Sequence, residues 1–472
     1  MEKSGQKKMN LFTITALAVG AIIGAGIFGT MPSAVSVAGT NVVWCILGAA
    51  VTVSITALPG VIPGSAIPCP SGYYMFSTRL VHPYLAGLEI LGVLTGTFLL
   101  ALLGRVFASY FSMIIPMNQT VCAVASLAVF FVINLFGVQA GAKAQNVMVI
   151  FLMAALLAYI LFGFGYDTAG LPGYQPMETK PMTLITFGTV TALFVTCLSG
   201  GQAAMDVADQ VENPRRNVLL SFILSTLLVM VIYMLMGVAT VRVAGNAAFD
   251  SLAVIAKLSM PGAFYLFFLI GGALCALATT INAMLLQGSY KVGIFAEDQI
   301  LPKAFNKTNR HGQRPLCVLA NFGVSIGILC FGLPISTLLS ISSCLIIFLT
   351  LLRLIPVLVL PGRYPHSYAH AMFHPSRSVL YMITAAAAVI GGWQIYSTVT
   401  TTAAEIWYIL LALVAVFYGY LILRGAYLKK QGVDLVKILR TPYPDWEINE
   451  ELFRAQAEAA GMAETPAPSG GC

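Results

Sequence analysis

Gly20-Ala-Ile-Ile-Gly24-Ala25-Gly26-Ile27-Phe28-Gly29 places four glycines in ten residues inside the first long apolar segment of the chain, residues 11–35. A glycine within a helix costs about 0.5–1 kcal/mol relative to alanine. Deep in a bilayer no water can repair the weakened backbone. Two readings fit the run. Its small residues pack closely against a neighbouring helix, or the helix unwinds there because its freed N–H groups and half-helix dipoles face a cavity and hold a ligand carboxylate. A second run, Thr196-Cys197-Leu198-Ser199-Gly200-Gly201-Gln202, interrupts the sixth apolar segment. Interruptions in corresponding segments of two halves point to an inverted repeat with its site at the bilayer midplane.

Working outward, the 472 residues are 58% hydrophobic and only 9% charged, against ~25% charge in an average soluble domain. A water-soluble globule cannot be built from that balance. Twelve apolar segments can be counted: 11–35, 41–62, 85–115, 120–137, 145–165, 184–205, 217–242, 262–288, 316–333, 335–356, 378–398 and 404–424. Each is long enough for a crossing of ~20 residues. The expected fold is an all-α integral membrane protein of twelve transmembrane helices. Helices one to five (about 11–165) and six to ten (about 184–356) would form a five-plus-five inverted repeat with broken first and sixth helices, and two extra helices would follow. Residues 1–10 and 425–472 then become tails flanking a transmembrane domain at 11–424. The basic stretch before residue 10 has no small-residue cleavage site after it and reads as leading into a retained first helix.

Charge placement orients the segments. With both termini in the cytoplasm, 21 of the 25 Lys and Arg fall on the inner side, only Lys180, Arg242 and Lys257 fall outside, and Arg105 lies within the third helix. This is a positive-inside distribution, and it predicts a multi-pass cell (inner) membrane protein. The net charge of +7 is then a product of cytoplasmic loops, so no nucleic-acid partner is expected. The tail from Gly425 carries seven of the eighteen acids. It reads as a short cytoplasmic appendage whose end, Thr465 to Cys472, is disordered.

Other chemistries are disfavoured. Nine cysteines lie mostly in apolar runs without metal-ligand spacing, so neither a disulfide framework nor a zinc site is expected. No phosphate-cradling G-x-x-x-x-G-K-[ST] occurs, which excludes an ATP-driven pump in one chain. All five histidines fall in expected cytoplasmic loops, which argues against an embedded enzyme. His366, His370 and His374 have helical spacing suited to metal ligands, but Pro365 and Pro375 bracket them and a solvated loop is the expectation. No cofactor or resident metal is expected.

The glycine run resembles the first-helix signature of the amino acid, polyamine and organocation transporter superfamily, the amino acid permeases and exchangers. Three further stretches agree: Pro70-Ser-Gly-Tyr-Tyr74 before the third helix, Val211-Glu-Asn-Pro-Arg-Arg-Asn217 after the sixth, and Phe295-Ala-Glu-Asp-Gln-Ile-Leu-Pro302 after the eighth. Together they cover most of residues 10–430. The last motif usually carries a glycine before Leu-Pro, and its absence here marks a divergent member.

The resemblance implies a substrate carboxylate at the broken first helix and its ammonium at carbonyls of the two breaks. The matching positions are Ile23, Gly24, Ala25, Gly26 and Ile27, then Cys197, Leu198, Ser199 and Gly200. Backbone dipoles compensate a zwitterion without leaving a permanent charge in the empty site. Gln202 stands where arginine exchangers of the family carry a glutamate, and a neutral amide there argues against a cationic substrate. Thr97, beside Gly96, and Met284 match pocket positions, with ordinary helix packing as the other reading.

Ionisable groups near the membrane each keep two readings. Arg105 either finds a partner or snorkels to the outer surface. Glu89, Asp206 and Asp209 serve a proton relay or inner gate, or are solvated acids at the interface. Coupling to H+ or Na+ stays open. Some proton-coupled relatives carry a lysine within the fifth helix, whereas Lys143 sits at its start and Val147 to Phe164 holds no ionisable residue. Hydroxyls of Thr279 and Thr280 suit sodium together with first-helix carbonyls, or bond back to their own helix. The resulting expectation is a secondary active transporter or exchanger of amino acids, neutral ones first, or related amines, working by alternating access. A polyamine or cationic amino acid antiporter is the nearest alternative. A channel or receptor is the alternative of another class, because selectivity filters also use glycine-rich breaks. The expected partners are a small-molecule substrate and the lipid bilayer; oligomeric state is open.

Overall fold

Backbone that enters hydrocarbon must satisfy its own hydrogen bonds, and a chain this apolar does so by forming helices. The computed structural model describes residues 8–168, 174–179, 181–247, 249, 251–333, 335–401 and 404–459. Lys3, Lys7, Lys180 and the expected disordered end lie outside them. Among the described residues every one of the twelve apolar segments contains helix, and the only strand-like pairing is two isolated bridges. Among the described residues nine helical stretches are long and apolar enough to cross a membrane, and Leu11–Ile22, Gln119–Leu135 and Pro315–Cys330 are shorter apolar helices.

The first segment divides into α1 (Leu11–Ile22) and α2 (Ala25–Ala38), with Ile23 and Gly24 extended between them. Then come α3 (Val42–Ala66), the short α4 (Gly72–Phe76), α5 (Ala86–Phe111), α6 (Gln119–Leu135) and α7 (Val138–Gly165). The sixth segment is α8 (Leu184–Leu198), which stops at an extended Ser199 and at Gly200 with φ +136°. Tight turns over Gly201–Asp206 and Ala208–Gln210 lead into α9 (Pro214–Ala244). Two short helices, α10 (Leu252–Ser259) and α11 (Gly262–Phe267), precede wider π-helical turns and α12 (Cys275–Glu297). The chain continues through α13 (Pro315–Cys330), α14 (Ile335–Leu352), α15 (Ile355–Arg363), α16 (Pro365–Ala369), α17 (Arg377–Thr401), α18 (Ala404–Lys430), α19 (Leu435–Arg440) and α20 (Pro444–Ala459).

Helix α1 lies at the centre of the bundle, against α7, α9 and α12, and α3 packs on α8 and α9. Helices α17 and α18 sit at the periphery with Trp393, Tyr396, Tyr408 and Ile422 exposed. On a soluble protein such a surface would be an aggregation hazard; here it is the surface that faces hydrocarbon. Both described termini meet one end of the bundle. The Met9 amide donates to the Gln210 carbonyl at 2.7 Å, the Glu212 amide donates to the Met9 carbonyl at 2.9 Å, and Trp446 of α20 stacks on Phe76. We refer to this end as the terminal face.

The tail differs from the sequence reading. Helix α18 runs on to Lys430, and the acid-rich segment after it folds as two helices. Its acids are interleaved with Leu435, Leu439, Trp446 and Phe453, all of which are buried. Composition averaged over the tail hides this apolar stripe.

Candidate substrate site at two helix breaks

The glycines of the two runs are placed where backbone or neighbouring side chains come too close for a Cβ. A methyl on Gly200 would stand 2.6 Å from the Ala21 carbonyl oxygen and 3.1 Å from the Ile22 nitrogen, so the second break lies directly on the end of α1. On Gly26 it would stand 2.9 Å from Cys197 Sγ, and on Gly24 2.9 Å from Thr280 Oγ1. Gly20 lies against the Gln145 amide and Thr279. The first run therefore both unwinds, at Ile23–Gly24, and packs closely through the glycines on either side.

The unwinding leaves the N-terminus of α2 with no side chain capping its first N–H groups. Those groups have no partner inside the helix and carry the positive end of its dipole. Beside them ends α8, whose last carbonyls carry the negative end. Gly26 and Ser199 are exposed there, while Ile23, Ile27, Cys197 and Leu198 are buried around them. Ala25 opens α2. Cys197 Sγ donates to Thr30 Oγ1 at 3.2 Å, and Ser199 Oγ donates back to the Val195 carbonyl. Backbone ends of opposite partial charge thus meet here, exposed at Gly26 and Ser199, with no ionised side chain among these positions.

Other positions expected to line a pocket divide. Thr97 is buried and its hydroxyl donates to the Leu94 carbonyl at 2.7 Å. Met284 is half-buried against a hydrophobic cluster. A Cβ on Gly96 would meet nothing within 4 Å, so that position does face open space. Gln202 lies below the breaks, where its Oε1 accepts a 2.5 Å hydrogen bond from the Tyr73 hydroxyl. With Thr56, Ala57, Tyr73 and Arg353 it lines a small enclosed cavity.

Thr280 Oγ1 lies 2.9 Å from the Gly20 carbonyl oxygen, 3.3 Å from that of Ile23 and 2.9 Å from that of its own Ala276. One hydroxyl proton serves only one of these acceptors at a time. The result is a cluster of hard oxygens of the kind that suits a hard cation. Thr279 instead bonds back to Ala276 alone. Arg105 does find a partner: its guanidinium donates to the carbonyls of Leu333 and Leu329 at the C-terminus of α13, at 3.0 and 3.4 Å. A cation is favoured at that end of the helix dipole.

Toward the terminal face two of the acids, Glu89 and Asp206, are buried. Glu89 is 3% exposed, accepts from Ser77 Oγ at 3.1 Å and pairs with Arg353 at 3.4 Å. Asp206 is 4% exposed and pairs with Lys291 at 2.8 Å. Asp209 accepts from the Tyr290 hydroxyl and from Gln210. Glu89 and Asp206 sit at segment ends that the tertiary fold covers, and Asp209 is half-buried beside them. Asp298 accepts from Arg79 at 2.8 Å and from the Tyr74 hydroxyl at 2.5 Å, which joins two of the sequence motifs. Burial pushes the Tyr74 phenol well above its ordinary pKa, and the Asp298 charge adds to this, so Tyr74 remains the donor. Three ion pairs, the acid of each buried, thus lie at this face beneath the breaks.

Sequence reasoning missed one cluster. Asn134 Nδ2 donates to Asn282 Oδ1 at 3.1 Å, and Asn282 Nδ2 donates to Gln145 Oε1 at 2.9 Å, so amides link α6, α12 and α7 within reach of α1. The signal was present in three amides inside apolar segments, where polar side chains commonly join helices.

A family model described as amino acid permease matches residues 9–424. An uncharacterised protein of Methanocaldococcus jannaschii is 27% identical over 64% of this chain and 71% of its own length. The mitochondrial cationic amino acid transporter 3 of Arabidopsis thaliana is 29% identical over 45% of this chain and 36% of its own length. The branched-chain amino acid permease of Bacillus subtilis is 22% identical over 77% of this chain and 83% of its own length. With two broken helices meeting where no ionised side chain stands and a family match spanning nearly all its helices, the chain belongs to the amino acid permease family and is a multi-pass membrane transporter.

Proposed function

We propose that this protein is a secondary active transporter or exchanger of neutral amino acids or related amines, working by alternating access around the two breaks. The observation that carries this is the meeting of the N-terminus of α2 with the C-terminus of α8, exposed at Gly26 and Ser199, where only backbone dipoles are offered to a ligand. A zwitterion matches that pair, carboxylate toward Gly24–Ile27 and ammonium toward Cys197–Gly200. An inorganic anion or a bare polyamine would match only half of it. Relatives named for cationic and for branched-chain substrates bracket the choice. Gln202, neutral and held by Tyr73, favours the neutral side.

In this reading the chain makes twelve crossings as two five-helix inverted repeats plus two helices. The terminal face is cytoplasmic in the cell membrane, as the one-sided Lys and Arg imply. The oxygen cluster at Thr280 supports coupling to Na+, whereas the buried acids of the terminal face would serve coupling to H+.

The test is counterflow of labelled leucine into proteoliposomes, with a competition panel and imposed sodium or pH gradients. Saturable counterflow that is lost in Gly26→Leu protein with intact membrane insertion is the expected result. Unchanged uptake by that variant would overturn the assignment of the site, and ohmic conductance in place of saturation would favour a channel.

A further inference from the structure

Three features of the tail are out of character for a loose appendage. Trp446 is 1% exposed; its indole stacks on Phe76 with ring centroids 5.8 Å apart and meets the edge of Tyr364 at 5.9 Å. Both carboxylate oxygens of Glu450 are used, accepting from the His366 and Ser367 amides at 2.8 and 2.7 Å, so the tail caps the start of α16. Phe453 carries the Arg215 guanidinium 4.1 Å above its ring and stacks on His370 at 4.2 Å.

These contacts reach three separate parts of the terminal face. Phe76 belongs to the segment between the second and third apolar stretches, and Arg79, which holds Asp298, lies three residues beyond it. Arg215 opens α9, directly after the second break. Tyr364, His366 and His370 follow α15, where Arg363 also donates to the Arg79 carbonyl at 2.9 Å. Leu435 and Leu439 of α19 enter the same apolar cluster as Phe76 and Leu80. The tail therefore ties the segment bearing Arg79 to segments from the other half of the chain. Alternating access requires such halves to part. No rigid strap of this kind can stay docked at all three places while they separate.

We propose that residues 435–459 are an autoinhibitory latch, which holds the terminal face closed while docked and permits it to open when released. This rests on the carrier reading above. Contacts made in the closed state and lost in the open one bias the equilibrium toward closure by their own free energy. Coupling between two sites of one protein typically amounts to about 5- to 150-fold.

The experiment uses the full chain carrying Ala57→Cys, alone and combined with Trp446→Ala or with Glu450→Gln. Ala57 is 2% exposed, lies beside Tyr73, Gln202 and Arg353, and makes none of the tail contacts named above. Maleimide labelling of residue 57 is followed by peptide mass spectrometry and leucine counterflow is measured on the same preparations. Labelling and counterflow should both rise by roughly fivefold or more in each tail variant. Labelling that stays at the rate of the Ala57→Cys chain overturns the latch. So does labelling that rises while counterflow does not, because the tail would then be a working part of the cycle and not a brake. Should Trp446→Ala aggregate, the isosteric Glu450→Gln decides on the same two readouts. If neither the Ala57→Cys chain nor either tail variant shows counterflow, the carrier reading fails and labelling alone judges the latch.

Discussion

Gly200→Ala is the substitution that most directly probes the meeting of the two breaks. Gly200 has φ +136°, a conformation L-residues rarely adopt, and its added methyl would stand 2.6 Å from the Ala21 carbonyl oxygen and 2.8 Å from its carbon. Those are backbone atoms, so no rotamer change relieves the contact. An unfavourable backbone conformation costs about 1–2 kcal/mol. Overpacking a tight contact costs about 1–3 kcal/mol more. A combined penalty of roughly 2–5 kcal/mol corresponds to more than a tenfold shift against the arrangement that brings α8 onto α1, since each 1.4 kcal/mol is a factor of ten. Initial counterflow should fall below about a tenth of the unmodified rate, and the purified variant should melt at a lower temperature. Gly327→Ala is the control, because a methyl there meets nothing within 4 Å; it should match the unmodified chain in both measurements. If Gly200→Ala also matched it, the close approach of the two breaks would not be the geometry on which transport depends.

Asp298→Asn leaves Arg79 buried without its charge partner and should destabilise the protein by about 3–5 kcal/mol, read as a lowered melting temperature; replacing both residues by leucine or methionine should recover much of the loss, and a double variant no better than the single one would refute the pairing. Gln202→Glu should shift competition from leucine toward lysine, and equal competition by the two before and after the change would rule out this residue as a charge selector. Thr280→Val removes the hydroxyl shared by the Gly20 and Ile23 carbonyls; if uptake is sodium-stimulated, the concentration for half-maximal stimulation should rise about tenfold or more, equivalent to ~1.4 kcal/mol, and an unchanged sodium dependence would remove this cluster from the coupling path.

Much of the site is legible in the amino-acid sequence because a helix break is a local event. Glycine runs weaken a helix wherever they occur, and the stretches at Gly20–Gly29 and Thr196–Gln202 both interrupt their helices. What each glycine packs against is not legible there: Gly20 meets Gln145, Gly24 meets Thr280 and Gly26 meets Cys197, each from a different helix. Glu89 and Asp206 escape a sequence reading for the same reason. At the end of an apolar segment an acid is expected to meet water, but Arg353 and Lys291 arrive from remote segments and bury it. The tail escapes it through averaging, since its acid content conceals one well-placed tryptophan.

The amino-acid sequence by itself determined the medium, the helical character and the two places where helices fail. These follow from composition and from backbone energetics over a few neighbouring residues, which no partner needs to supply. Only the tertiary structure decided which charges pair, that the breaks face one another, and that the tail closes over the terminal face. Those outcomes depend on side chains far apart in the chain sharing one buried volume, where an unpaired charge or an unfilled space is too costly to persist.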